Sequence, residues 1–224
     1  MEAYRTEEEQ VEALKRWWQE NGRSTVIAVA VALSAAFGWQ GWQRYQESQA
    51  AEASTLFTQL MESAAAVEEG AEAGRFQELA ATLREQFPRS SYAQFAALHE
   101  ARVAVAAGRS AEAEGDLRWV LSRADTGSDI HQVAQLRLAR VLADRGQTDE
   151  ALTLLQSGTG YYRAATALAR GDVLLQAQRE AEALAAYREA QALLSEYPGQ
   201  LQVDTLAAKL QLLSAGLDTE QEAE

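Results

Sequence analysis

The chain contains no cysteine, two prolines and two histidines among its 224 residues. Without cysteine there is no disulfide, no thiolate metal site and no cysteine nucleophile. With only His99 and His131, a multi-histidine metal centre is excluded as well. So little proline in an alanine-heavy chain disfavours an all-β fold and favours helices. Cations are also scarce: 20 Lys and Arg stand against 33 Asp and Glu, a net charge of −13. Nucleic acid needs a basic face, so that class of partner is excluded. Gly158 and Gly160 lack the following Lys-Ser/Thr of a phosphate loop, and no G-x-S-x-G elbow occurs. His99, beside Glu100, and His131 read as surface side chains before they read as bases. The acidic runs 7–9 and 112–116 read as solvated faces. Neither catalysis nor a cofactor nor a metal is expected.

Apolar residues make up 47% of the chain, enough for a sizeable core. The most informative stretch is 24–43, STVIAVAVALSAAFGWQGWQ, bounded by Arg23 and Arg44 with no charge between them. Twenty helical residues reach about 30 Å, the thickness of the hydrocarbon layer. Trp17 and Trp18 stand before the run, and Trp39, Trp42 and Tyr45 at its far border. Trp and Tyr favour the headgroup level, so two aromatic girdles are what a spanning helix shows. Val26, Ile27, Val29, Val31, Leu33, Phe37, Trp39 and Trp42 are the expected anchor. A buried core helix would have to explain the missing polar face. A cleaved signal peptide would have to explain the 23 residues ahead of the run, with their six acids. An uncleaved anchor fits better.

Arg5, Lys15, Arg16 and Arg23 precede the span, and only Arg44 lies close behind it. Basic flanks stay in the cytoplasm, which puts the N-terminus inside and the bulk outside, in the periplasm of a bacterium. The absence of cysteine suits that oxidising space. In residues 7–21, Val11, Leu14, Trp17 and Trp18 form one apolar helical stripe, and Gly22 is placed to end that helix. The piece reads either as an amphipathic helix on the inner membrane face or a partner helix, or as a plain topogenic anchor.

Beyond Arg44 the sequence repeats itself. Aligning Gly108 with Gly146 and Gln178 brings Leu98, Leu136 and Leu168 together ten residues upstream. Ala101, Ala139 and Gly171 fall together, as do Val103, Val141 and Val173. Downstream, Ala113, Ala151 and Ala183 coincide, each preceded by Glu, and so do Leu117, Leu155 and Tyr187. Gly74 opens a weaker copy with Leu79 and Leu83; the four copies lie 34, 38 and 32 residues apart. A period near 34, with small residues where paired helices touch, is the tetratricopeptide pattern. The usual Trp and Tyr of the first helix are missing, and chance register in alanine-rich sequence is the rival explanation.

The map is therefore all-α: a tail with an amphipathic helix (1–23), a transmembrane helix (24–43), a tetratricopeptide-like helical-repeat solenoid (44–216) and an acidic, disordered tail (217–224). Within the solenoid, a helix at 45–67 continues or kinks out of the span. A second, 76–87, stops at Pro88, and hairpins follow at 92–124, 130–156 and 161–196. Residues 125–129 and 157–160 form turns, and helix 201–213 caps the stack. First helices of such hairpins line a groove. Register places Arg102, Arg140 and Asp172 there, with Phe95, Leu98, Leu136, Leu168 and Gln176 as neighbours. The groove reads as a site for a polypeptide segment; the alternative is that these charges pair between repeats or face solvent. Tyr161 and Tyr162 either join the groove or pack the hairpin start.

Several segments resemble one family. They are Gln10-Val11-Glu12, Leu14-Lys15, Trp17-Trp18 and Glu20-Asn21-Gly22, then Gly38-Trp39 with Trp42. Residues 136–141 (LRLARV) and the helix carrying Lys209 continue the likeness. Over nearly its whole length the chain resembles the YfgM family, ancillary subunits of the bacterial SecYEG translocon with a periplasmic tetratricopeptide-like domain. It departs in its Ala/Arg-rich composition and its acidic end. The resemblance implies a single-pass inner-membrane protein that helps pass emerging secretory polypeptides from the translocon to periplasmic chaperones. It also implies a membrane-anchored partner chaperone of prolyl-isomerase type, and a cytoplasmic tail with a role in stress signalling. A membrane-anchored scaffold for envelope assembly or cell division is the rival reading.

Overall fold

Helix-forming residues dominate the chain, and its helices break where a cap, a turn residue or a proline intervenes. The computed structural model describes residues 7–68, 73–156, 160–194 and 203–221. Among these every regular element is helical, as the composition predicts. The elements are α1 (Glu7–Glu68), α2 (Gly74–Gln86), α3 (Ser91–Ala106), α4 (Ser110–Arg123), α5 (Asp129–Asp144), α6 (Thr148–Leu154), α7 (Arg163–Gln176), α8 (Glu180–Leu194) and α9 (Val203–Gln221). A turn of 3-10 helix occupies Gly160–Tyr162. The chain divides into two units, residues 1–52 and 53–224, and α1 contributes to both.

In the first unit α1 runs without a break, which corrects one expectation. Gly22 does not end a separate amphipathic helix. It lies within α1, buried under the Trp18 indole, where an added Cβ would come within 3.2 Å of the ring. A glycine can close a helix only if the chain turns there. Here no proline follows, and the long helix on both sides carries its cost of about 1 kcal/mol. The stripe Val11, Leu14, Trp17 and Trp18 is exposed. Further along, all eight anchor residues are at least half exposed, from Leu33 at 51% to Phe37 at 68%. The helix is long and apolar enough to cross a membrane. In lipid those side chains lose no favourable solvent, and the helix satisfies its own backbone hydrogen bonds.

In the second unit the repeat register is visible in the backbone. Gly108, Gly146 and Gln178 adopt left-handed conformations, with φ of 73°, 76° and 59°. Each closes the first helix of its hairpin in the same way. Arg109 N–H donates to Ala104 O at 2.8 Å, Gln147 N–H to Leu142 O at 2.8 Å, and Arg179 N–H to Leu174 O at 2.9 Å. The hairpins are thus α3–α4, α5–α6 and α7–α8. Gly74 of the weaker copy is different: it is the first residue of α2 and is not left-handed. Ser90 and Ser128 cap α3 and α5, accepting from Ala93 N–H at 3.1 Å and His131 N–H at 3.3 Å. Pro88 follows the end of α2 as expected.

Packing obeys the same register. Ala113, Ala151 and Ala183 are fully buried, and Leu117, Leu155 and Tyr187 almost so. Burying a leucine of this kind contributes about 2 kcal/mol. Facing them across each hairpin are Ala101, Ala139 and Gly171. In the third hairpin the large and small partners change together. A Cβ on Gly171 would lie 2.4 Å from the Tyr187 ring, so the bulkier tyrosine requires the glycine. Side chains of residues 53–64 share a core with α2 and α3, α3 through α7 form the middle core, and α7, α8 and α9 the last. The final helix α9 extends to Gln221, beyond the predicted end at 213 and into the segment expected to be a tail. Leu206 and Leu213 bury it against α7 and α8. The expected turn at 157–159, the stop at Pro198 and the last acidic residues 222–224 lie outside the described residues.

Candidate functional site

The first helices of the hairpins meet in order, α3 against α5 and α5 against α7, and form one face of the stack. Between α3 and α5 this face carries a cleft of about 360 Å³, walled by Arg102 and Val105 from α3 and by Arg137, Arg140, Val141 and Asp144 from α5. Ala101 and Leu117 form its floor. Two residues placed in the groove by register, Arg102 and Arg140, therefore come together here, and both are exposed. Arg137 joins them from the previous turn of α5. Its Nη1 donates to the Leu98 carbonyl at 3.2 Å. Burial, then the charges of Arg102 and Arg140, push its pKa below the ordinary arginine value.

The other register positions go elsewhere. Asp172 is held inside the third hairpin: the Tyr187 hydroxyl donates to its Oδ1 at 2.8 Å, and Lys209 of α9 forms an ion pair with the same oxygen. Burial first, and then the bond and charge of Asp172, push the Tyr187 hydroxyl well above its usual range. Leu98 and Leu136 are buried in the middle core, and Leu168 is partly buried against the last one. Their spacing, read as a groove lining, is the spacing of a core stripe. Phe95 is 39% exposed and leans on Phe57, ring centroids 6.1 Å apart, with Tyr92 on the same phenyl group at 5.5 Å. Gln176 is exposed and donates to Asp144 at 3.3 Å, joining α7 to α5 at the cleft's edge. Tyr161 and Tyr162 pack edge to face at 5.7 Å at the start of the third hairpin.

The inter-repeat pairing foreseen as an alternative does occur, through other residues. Arg118 reaches Glu150 at 2.5 Å, and Arg145 pairs with Glu114. Arg84 of α2 bonds Glu100 of α3 at 3.0 Å and Asp116 of α4 at 2.7 Å, with its guanidinium 4.7 Å over the Trp119 ring. Burial raises the pKa of both acids, and Glu100 is raised further by Asp116. One guanidinium thus ties three helices.

Comparison with known proteins bears on this architecture. The family described as tetratricopeptide repeat-like domain matches residues 15–215. An ancillary SecYEG translocon subunit of Haemophilus influenzae is 31% identical over 173 residues, covering 76% of this chain and 82% of that protein. That of Aggregatibacter actinomycetemcomitans is 31% identical over 211 residues, covering 93% and 98%. The Escherichia coli K12 protein of the same description is 31% identical over 180 residues, covering 78% and 82%. The chain belongs to the family of ancillary SecYEG translocon subunits. No solved structure matches it.

In this translocon-subunit family member, register brings Arg102 and Arg140 to one cleft and leaves out the third cation beside them. Arg137 lies outside the aligned columns, opposite His99 in the preceding copy. The only signal for it was the LRLARV segment, in which Arg137 and Arg140 stand three residues apart on one helical face. Lys209, the partner of Asp172, lies 37 residues away on α9, a helix outside the aligned copies.

Proposed function

We propose that this protein is a non-catalytic, single-pass accessory of the SecYEG translocon in the bacterial inner membrane. Its N-terminus lies in the cytoplasm and its repeat domain in the periplasm. There the repeat domain binds chaperones or emerging secretory polypeptides and aids their transfer to the periplasmic chaperone network. A membrane-anchored chaperone of prolyl-isomerase type is the partner that the family resemblance favours.

The observation that carries this reading is the pairing, in one member of this family, of a helix whose apolar side chains lie exposed with a repeat face bearing an open cleft. Orientation rests on the flanks: four basic residues before residue 24 against Arg44 behind the span. Tethering supports the role energetically. A domain confined beside an export pore meets emerging chains at high effective concentration, so modest affinity suffices. The test is crosslinking in intact membranes with a photoreactive residue at Phe37 or Phe95, paired with protease treatment of spheroplasts. We expect translocon adducts from Phe37, chaperone or secretory-chain adducts from Phe95, and digestion of the C-terminal bulk from outside. Recovery of division or wall-assembly proteins instead would favour the scaffold reading, and a protected C-terminal bulk would overturn the topology.

A further inference from the structure

Arginine is treated in two ways in the repeat domain. Arg75, Arg84, Arg109, Arg118, Arg145, Arg170 and Arg179 each meet a carboxylate within the fold. In an acidic chain of net charge −13, acids to pair with are plentiful. Arg137 and Arg140 nevertheless meet no carboxylate within 4.0 Å among the described residues, although both face one cleft with Arg102. Arg137 is exposed as a residue, but its guanidinium is held against the Leu98 carbonyl, where partial desolvation and two like charges work against its charge. Asp144 is the acid at the edge of this cleft, and it accepts from Gln176 of α7.

The rest of the cleft is apolar. Val105, Leu117 and Val141 line it beside the arginines, and its 360 Å³ lies within the ~300–1,000 Å³ range of ligand-binding clefts. Guanidinium groups bind carboxylates in a planar, charge-assisted geometry, and they do so most strongly where water is partly excluded. Arg137 and Arg140, on one face of α5, repel each other and Arg102, and an anion in the cleft relieves that repulsion. Asp144 would repel a second carboxylate at its own end, which gives the cleft a polarity.

We propose that the α3–α5 cleft selects acidic polypeptide segments, with Arg102, Arg137 and Arg140 taking a carboxylate and Val105, Leu117 and Val141 covering an adjacent apolar side chain. This deepens the polypeptide-binding role proposed above and rests on it. The charge complementarity is between a local cationic patch and an acidic partner, against the overall sign of the protein. Repulsion by the rest of the chain makes binding depend on these three side chains rather than on a general field.

The test uses the full chain in lipid nanodiscs and two labelled peptides of about eight residues, one alternating Leu with Glu and one alternating Leu with Gln. Fluorescence anisotropy reads the affinities at low and high salt. The Glu peptide should bind at least ~10-fold tighter, a preference that shrinks as salt screens the exposed charges. Arg137→Gln should reduce that preference by ~10-fold, and Arg137→Lys should restore part of it, because charge returns without the planar fork. Arg140→Glu reverses charge on an exposed side chain and should favour the Gln peptide. Thermal melts by circular dichroism show whether each variant is folded. Equal binding of both peptides, or an unchanged preference in folded Arg140→Glu, overturns acid selectivity and leaves the broader role standing. Failure of both peptides to bind overturns polypeptide binding at this face, and acid selectivity with it.

Discussion

Residues 26–42 and residues 93–190 use the same kinds of side chain in opposite ways. In the first region Val26, Ile27, Val31, Phe37 and Trp39 are each more than half exposed. In the second, Leu117, Val120, Leu138, Leu142, Leu155 and Tyr187 are under 2% exposed. Alanine is common to both. In the repeats it marks the points where paired helices touch, as at Ala101, Ala113, Ala139 and Ala151. In the span it meets nothing. The difference lies in periodicity. The repeat helices alternate apolar stripes with charges, which fixes one face inward. The span has no charged face, so it needs an apolar surrounding on every side.

The largest effect expected from breaking this contrast is in the span. Val29→Arg together with Leu33→Arg puts two charges near its middle. Each costs about 2.5–3.5 kcal/mol on insertion scales. Retention of the chain in carbonate-washed membranes should fall by far more than 10-fold. Unchanged retention would mean that residues 24–43 do not cross the lipid.

Next in size is Gly171→Ala, which sharpens the comparison within the stack. Two hairpins pair alanine with leucine, and the third pairs glycine with tyrosine. A methyl group 2.4 Å from the Tyr187 ring must displace it from a fully buried site. We expect a loss of ~1–3 kcal/mol in urea unfolding of the micelle-bound chain. Adding Tyr187→Leu rebuilds the alanine–leucine pair of the other hairpins. The double variant should then be more stable than the sum of the single changes by ~1 kcal/mol or more. It will not regain full stability, because the hydroxyl that donates to Asp172 is gone. Strict additivity would show that the two positions are not coupled.

This pair also shows how far the sequence could be read. Gly171 and Tyr187 were aligned with their counterparts by spacing alone, and so were Gly108, Gly146 and Gln178. Local rules are enough for such features, since a helix stop and the contact between hairpin partners lie within about 20 residues. Partners brought together by tertiary packing were not legible. Arg84 finds Asp116 32 residues away, and Asp172 finds Lys209 37 residues away. Asp172 therefore looked like a groove residue, while it closes the last hairpin against α9. Leu98 and Leu136 read as groove residues only if their helical stripe is a lining. Burial shows these leucines to be core, and the cleft lies one helical turn further on, at Arg102 and Arg140. Gly22 misled for the opposite reason. A local stop signal was present, but nothing around it required the chain to turn.

The smallest expected effect concerns the three turns. A left-handed residue with a Cβ costs about 1–2 kcal/mol, and Gln178 carries that strain where Gly108 and Gly146 do not. The hydrogen bonds around the three turns match closely, so they do not compensate for it. Gln178→Gly relieves the strain but makes the unfolded chain freer, which returns roughly 0.4–1 kcal/mol. The net gain should be about 0.5–1 kcal/mol, read as a shift in urea midpoint without a change in slope. Gly146→Gln should lose a similar amount for the same reason reversed. If the two exchanges were to move stability in the same direction, turn strain would not be what separates the third repeat from the first two. The difference would then reside in the Gly171–Tyr187 contact alone.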